Sequence, residues 1–282
     1  MTKPRLLFID ILKTVGVISV LYWHLFYMNQ YLGVDIPFYG LMRLGGFGVL
    51  LFLFASGLSL SIKDYNFSTK KETLDFYYKR LIRIYPAMWL SILITLVLMP
   101  TYLNNLNILK LAEEFTGFYY YFQGNFPDIN SPLWYIGLTV GLYLLFPLLY
   151  NVIKKYNFTA FALIFLVSFG SLLYLRPLDP IFGYHNYWYC GVLPNLWIFV
   201  LGVYLGTKKL YPKWESKNIL IKEISDISFY VYLLHSALIQ YAGDMLLFFG
   251  MIIISSHVFM IVDERIIKPI LTKSRYPTPP TT

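Results

Sequence analysis

The sequence predicts an all-α fold: a polytopic membrane helix bundle of about eight transmembrane helices, with both termini cytoplasmic. Three observations carry this. Of 282 residues, 57% are hydrophobic and 13% charged, against about 25% charged in a soluble domain. The mean hydropathy is +0.57. The basic residues also cluster in alternate connections between apolar runs, the pattern that orients membrane proteins.

The apolar runs fall at 7–28, 42–62, 85–101, 133–152, 157–175, 188–206, 226–242 and 245–263, each near the roughly 20 residues that cross a bilayer. The first run contains Asp10, Lys13 and His24 and is not followed by a small-residue cleavage site, which excludes a signal-peptide reading. With the N-terminus inside, the inner segments hold Lys3 and Arg5, the basic loop 63–84, Lys154 and Lys155, the lysine-rich loop 207–225, and the cations after 264. The outer side keeps Arg43, Lys110 and Arg176. The net charge of +8 is thus a matter of topology, and no nucleic-acid partner is expected; membrane lipid is. Cys190 is the single cysteine, so neither a disulfide framework nor a metal site is expected. Residues 1–275 read as one membrane-embedded domain, and the Pro/Thr-rich 276–282 as a disordered tail.

In the first run, "KTVGVISVLYWH" places Lys13 and His24 eleven positions apart. At 100° per residue they share one helix face, roughly 16 Å apart along the axis. Asp10, three residues earlier, is close enough to pair with Lys13. One reading has Lys13 snorkel to the inner surface and His24 anchor the outer one beside Tyr22 and Trp23. The other makes His24 a general base in a polar cavity, because a neutral imidazole takes a hydroxyl proton near neutral pH.

The second run, "GGFGVLLFLFASGLSLS", sets Gly45, Gly46, Gly48, Ser56 and Gly57 in an apolar helix, where small residues admit a close neighbour. In "YYKRLIRIYP", Arg80 and Arg83 share a face at the inner edge, with Pro86 just beyond. Two converging guanidiniums suit phosphate oxygens; the same pair also suits a topology determinant touching anionic lipid. Trp134 and Tyr135 open the fourth run after an aromatic outer segment, 102–132, which reads as an interfacial belt or as a platform for sugar rings. In "ISDISFYVYLLHSALIQ", Ser228, Tyr232 and His235 fall on one helical stripe, with Asp226 at its start. A buried histidine there needs a partner or a cavity.

Taken in order from Asp10 to Pro269, these stretches resemble the acyltransferase-3 family of integral membrane O-acyltransferases. Lys13 and His24 have the spacing of the family's basic residue and histidine in the first span, with lysine in place of the usual arginine. "FGVLLFLFASG" resembles its second span. "KRLIRIYP" resembles its Arg-x-x-Arg-x-x-Pro stretch at Arg80, Arg83 and Pro86. "LWYIGLTVGLYLLFP" resembles its Trp-led span, "SFYVYLLH" its Ser-Tyr-x-x-Tyr-Leu-x-His motif, and "SSHVFMIVDERIIKP" its closing segment. The chain reads as a shortened member. The family usually has about ten spans, and a hairpin between 196–206 and the "SFYVYLLH" run is replaced by a lysine-rich loop. The family's glutamate after the tryptophan of the fourth span has no counterpart between Trp134 and Tyr143.

The resemblance implies transfer of an acyl group, commonly acetyl, from acetyl-CoA or another acyl-CoA to a hydroxyl of a glycan or lipid-linked sugar, in the cell membrane. It implies His24 as the catalytic base, with Asp10 or Lys13 positioning the cavity or the donor. Arg80 and Arg83 would face the donor phosphates. Ser228, Tyr232, His235 and Trp134 would serve the oxyanion or the acceptor. The competing readings are a transporter-like protein with the histidine stripe along its path, and a non-catalytic member of the same fold.

Overall fold

The computed structural model describes residues 5–32, 45–105, 107–182, 187–215, 217–239, 241 and 245–273. The predicted tail lies outside them, as does Arg43. The elements are α1 (Leu7–Leu32), α2 (Gly45–Ser61), α3 (Lys70–Leu98), α4 (Ile108–Thr116), α5 (Tyr119–Gln123), α6 (Trp134–Phe182), α7 (Tyr187–Cys190), α8 (Val192–Thr207), α9 (Ile219–Ile239), α10 (Met245–Val262) and α11 (Lys268–Lys273). A π-helical turn, Asp263–Ile267, joins the last two. The one extended pairing among the described residues is a bridge between Leu6 and Glu215.

Among the described residues, five helical stretches are long and apolar enough to cross a membrane: Leu7–Leu25, Lys70–Leu98, Ser131–Leu178, Tyr187–Thr207 and Leu247–Thr272. The sequence suggests about eight, and three features account for the difference. The α2 helix is apolar but only 17 residues long. The polar start of α9, with Lys222, Glu223 and Asp226, dilutes its apolar run. And α6 is two helices in direction: Asn157 breaks it with φ 55°, ψ −129°. The packing on either side of that break shows the reversal. In the first arm, Gly141 meets Val192 and Phe146 meets Phe199, so it runs parallel to α8. In the second, Phe161 stacks on Tyr204 and Phe165 meets Trp197 edge to face, so it runs antiparallel. Lys208 hydrogen-bonds the Asn157 side chain and holds the turn.

The basic loop read at 63–84 is largely helix. Thr69 caps α3 through a reciprocal box with Glu72: the Glu72 amide donates to Thr69 Oγ1 at 3.3 Å, and the Thr69 amide to Glu72 Oε2 at 3.1 Å. Two backbone donors that the helix start leaves open are thereby satisfied. Arg80 and Arg83 therefore ride on a rigid helix, several turns in.

Small residues bring helices together as expected. A Cβ on Gly57 would overlap the carbonyl of Phe199, and one on Gly48 would lie 2.5 Å from the carbonyl of Gly16. These contacts join α2 to α8 and α1 to α2 with little room between backbones. The bundle has two buried clusters. One gathers α1, α3, α9 and α10 around Met88, Ile92, Leu233 and Phe248. The other gathers α2, the first arm of α6 and α8 around Leu53, Leu138, Phe146 and Phe199. Phe52 and Tyr143 pack against both, and mark the seam.

The segment 102–132, expected on the outer side, is folded back by polar contacts. Glu114 on α4 is 1% exposed, and its Oε1 accepts from the Ile129 amide at 2.8 Å. The Asn130 amide nitrogen then donates to Ser91 Oγ on α3 at 3.2 Å and to the Leu233 carbonyl on α9 at 3.1 Å. Burial pushes the Glu114 carboxyl up to about 7, against the backbone amides that favour its charge. A folded-state value above the unfolded one contributes stability fully present below about 4.5 and lost as pH rises through about 7, up to about 3 kcal/mol. Between pH 5 and pH 8, wild-type unfolding free energy in detergent should therefore fall relative to Glu114→Gln. A constant gap between the two proteins would contradict this.

Candidate active site

A cavity of about 560 Å³ sits at the seam, at the end of the bundle where α2 and α10 finish and α3 and α9 begin. Each wall follows from helical spacing. Lys13 comes from α1, Ser56 and Ser59 from α2 at i and i+3, one face of a helix, and Lys63 from just past the end of α2. Arg80 and Arg83 come from α3, and Ser225, Asp226, Ser228 and Tyr232 from α9.

The charge is unbalanced. Four cations, Lys13, Lys63, Arg80 and Arg83, face two acids, Asp226 and Glu264. Both acids already meet cations from outside that set. Arg5 reaches Asp226 at 2.7 Å, and Lys268 stands 3.9 Å from Glu264. Among the described residues, Lys13, Arg80 and Arg83 make no ion pair. Arg80 lies over the Phe76 ring at 5.8 Å, and its Nε is buried without a hydrogen-bond partner. A desolvated guanidinium donor with no acceptor is costly. Such a lining suits an anion with several oxygens.

Asp10 is placed differently from the sequence expectation. It is 2% exposed, and Arg5 takes its carboxylate with a fork of 2.7 and 2.8 Å. Ser225 Oγ donates to the same carboxylate at 2.8 Å. The expected partner, Lys13, lines the cavity instead. A planar guanidinium five residues back offers two parallel bonds where an ammonium offers one. Asp10 thus ties the start of α1 to α9, and Arg5 bridges it to Asp226.

The far wall of the cavity is aromatic. Phe52, Tyr135 and Tyr232 pack together with ring centroids 6.3, 6.3 and 5.0 Å apart. Behind them lie the two histidines. The His235 ring sits 5.5 Å from Tyr232 and 4.5 Å from His24, with planes at 60°. Neither histidine is among the residues that line the cavity. The Lys13–His24 stripe does face the protein interior, but the hollow follows it only as far as the aromatic layer. His24 packs against α9 on a face of the helix turned into the bundle.

The proposed oxyanion donors have their hydrogens committed. Ser228 Oγ donates to the Ser225 carbonyl at 2.8 Å, and the Tyr232 hydroxyl to the Pro132 carbonyl at 2.9 Å. His235 Nδ1 donates to the Tyr232 carbonyl at 2.6 Å. Trp134 does not line the cavity; it packs on Tyr189 at 4.9 Å and on Phe126 at 6.2 Å. Sequence reasoning missed Lys63, Phe52 and Tyr143 as cavity residues. The available signal for the first is its place two residues after an apolar helix that carries Ser56 and Ser59.

The chain matches the family model described as "Acyltransferase domain" over residues 6–216. That range covers α1 to α8 and stops before α9. No curated protein and no solved structure matches the chain. With well over half the sequence matched, and an anion-ready cavity inside an apolar helical bundle, the chain belongs to the acyltransferase-3 family of membrane acyltransferases.

Proposed function

We propose that this protein transfers an acyl group, acetyl in the first instance, from an acyl-CoA to a hydroxyl of a sugar in a glycan or lipid-linked precursor. The observation that carries the proposal is the electropositive cavity with its unpartnered Arg80 Nε. The donor is a thioester on a long arm that ends in phosphates, and the cavity offers cations at one end and histidines beyond the other. In this reading the bundle has eight spans in the cell membrane, with both termini and the cavity mouth on the cytoplasmic side. The alternating helix directions and the basic segments support that topology.

The chemistry runs along the line from Arg80 to His24. Arg80 and Arg83 hold the donor phosphates, and Lys13 lies further along the arm. The rings of Phe52, Tyr135 and Tyr232 part to admit the thioester. His24 takes the proton from the acceptor hydroxyl as its oxygen attacks the thioester carbonyl. The carbon–sulfur bond then breaks, and the imidazolium returns its proton to the leaving thiolate. Asp10 works at a distance: it holds Arg5 against Asp226 and so keeps that acid from neutralising the cavity.

General-base help of this kind is worth about 10²–10⁴ in rate. His24→Ala should therefore lower transfer at least about 100-fold while acyl-CoA affinity stays within twofold of wild type; transfer at a rate near wild type would reject the base assignment. Each lost charge-assisted phosphate contact costs about 1.5–3 kcal/mol. The double variant Arg80→Ala, Arg83→Ala should thus weaken acyl-CoA binding by at least about 100-fold with little change in the KM of the acceptor. Unchanged donor affinity in a titration would remove the clamp from the account.

A further inference from the structure

His235 is fully buried on α9, and its hydrogen-bonding state follows from one contact. Nδ1 lies 2.6 Å from the carbonyl oxygen of Tyr232. A carbonyl oxygen only accepts, so Nδ1 carries the hydrogen, and in the neutral ring Nε2 is a bare lone pair. That Nε2 is buried with no hydrogen-bond partner among the described residues. An acceptor left so is unfavourable, and the polar ring beside it is that of His24, 4.5 Å away between centroids.

At 60° between planes the two rings stop short of a bond. The outer torsion of a histidine is broad, so the His24 ring can turn to present an N–H toward α9. From this geometry we infer that His235 is a positioning residue: its Nε2 accepts the N–H of His24 in the working state and thereby fixes the His24 tautomer. The remaining nitrogen of His24 is then bare and turned away from α9, where the acceptor hydroxyl can reach it. When that nitrogen takes the substrate proton, His24 carries two N–H groups, and His235 keeps hold of one. No proton passes to His235. A base whose second nitrogen is held by a third group is the recurrent arrangement for such chemistry. A neutral imidazole fills the third position here without placing a further charge in the apolar bundle.

This assignment rests on His24 as the base, and the test separates the two. Full-length protein in nanodiscs is prepared with isotope-labelled imidazole nitrogens, as wild type, His235→Leu and His235→Gln, with His24→Ala to assign the signals. The Gln carbonyl oxygen offers an acceptor at about the reach of Nε2; Leu offers none. Solid-state NMR should show one His24 tautomer in wild type and in the Gln variant, and a mixture in the Leu variant. In parallel, kcat should fall at least roughly tenfold in the Leu variant with the donor KM unchanged, and recover in the Gln variant to within about threefold. A single tautomer and full kcat in His235→Leu would overturn the inference. If the Leu variant loses acyl-CoA binding through misfolding, the Gln variant decides alone: mixed tautomers there overturn the pairing, and a single one sustains it. Should His24→Ala keep its transfer activity, the base reading falls while the tautomer measurement still decides the pairing.

Discussion

Positive charge held inside an apolar bundle is the constraint on which the rest of the structure depends. A buried guanidinium or ammonium is unfavourable unless a counter-charge or water serves it. Here the partly buried Lys13 and Arg80 line one hollow, with Arg83 and Lys63 at its more exposed end, and the two acids beside them are engaged by Arg5 and Lys268. Arg5 is the pivot of this arrangement. By taking Asp10 and Asp226 together, it satisfies a buried carboxylate and also withholds a surface one from the cavity. The hollow therefore keeps an excess of cations, the setting on which the proposed donor site rests.

The position of the hollow follows from how the bundle is assembled. Two clusters of helices each have their own packed interior, and the cavity lies where they meet. Close backbone contacts at Gly48 and Gly57 fix α2 between α1 and α8, and this carries Ser56 and Ser59 of α2, with Lys63 just beyond its end, to the seam. The same assembly places Phe52 against Tyr135 and Tyr232, closing the cavity toward the histidines. Polar ties from the segment before α6, between Pro132 and Tyr232 and between Asn130 and Leu233, hold α9 at that level. A cluster of cations and a pair of neighbouring imidazoles, His235 buried and His24 partly so, are thus kept on opposite sides of a thin aromatic layer.

Much of this was legible in the sequence because helical spacing is a strong constraint. The 57% apolar composition gave the helical membrane class, and the Arg80–Arg83 spacing gave a shared face, since both depend only on local periodicity. The Lys13–His24 stripe likewise predicted an interior face. What spacing does not encode is which partner a side chain meets across helices. Asp10 went to Arg5 because the segment before α1 folds back over it, and a reading of α1 alone does not contain that contact. His24 and His235 are 211 positions apart, and only the parallel packing of α1 and α9 brings their rings together. The extent of the cavity was overstated for a similar reason. Phe52, Tyr135 and Tyr232 are ordinary apolar-run residues in sequence, and their joint role as a wall appears only once three helices converge. The direction reversal at Asn157 was anticipated by Lys154 and Lys155, whereas the folded outer segment around Glu114 rests on backbone contacts that no pattern marks.

The central claim is that one path leads from the cations on α3, through the aromatic layer, to His24. Photo-crosslinking tests it most directly, with an acyl-CoA analogue carrying its reactive group at the acyl end and the protein held in a bilayer. The account predicts adducts on the stretches of α1 and α9 around His24 and Tyr232, lost on competition with unmodified acyl-CoA. Adducts confined to the basic connections outside the bundle, with none on α1 or α9, would contradict it.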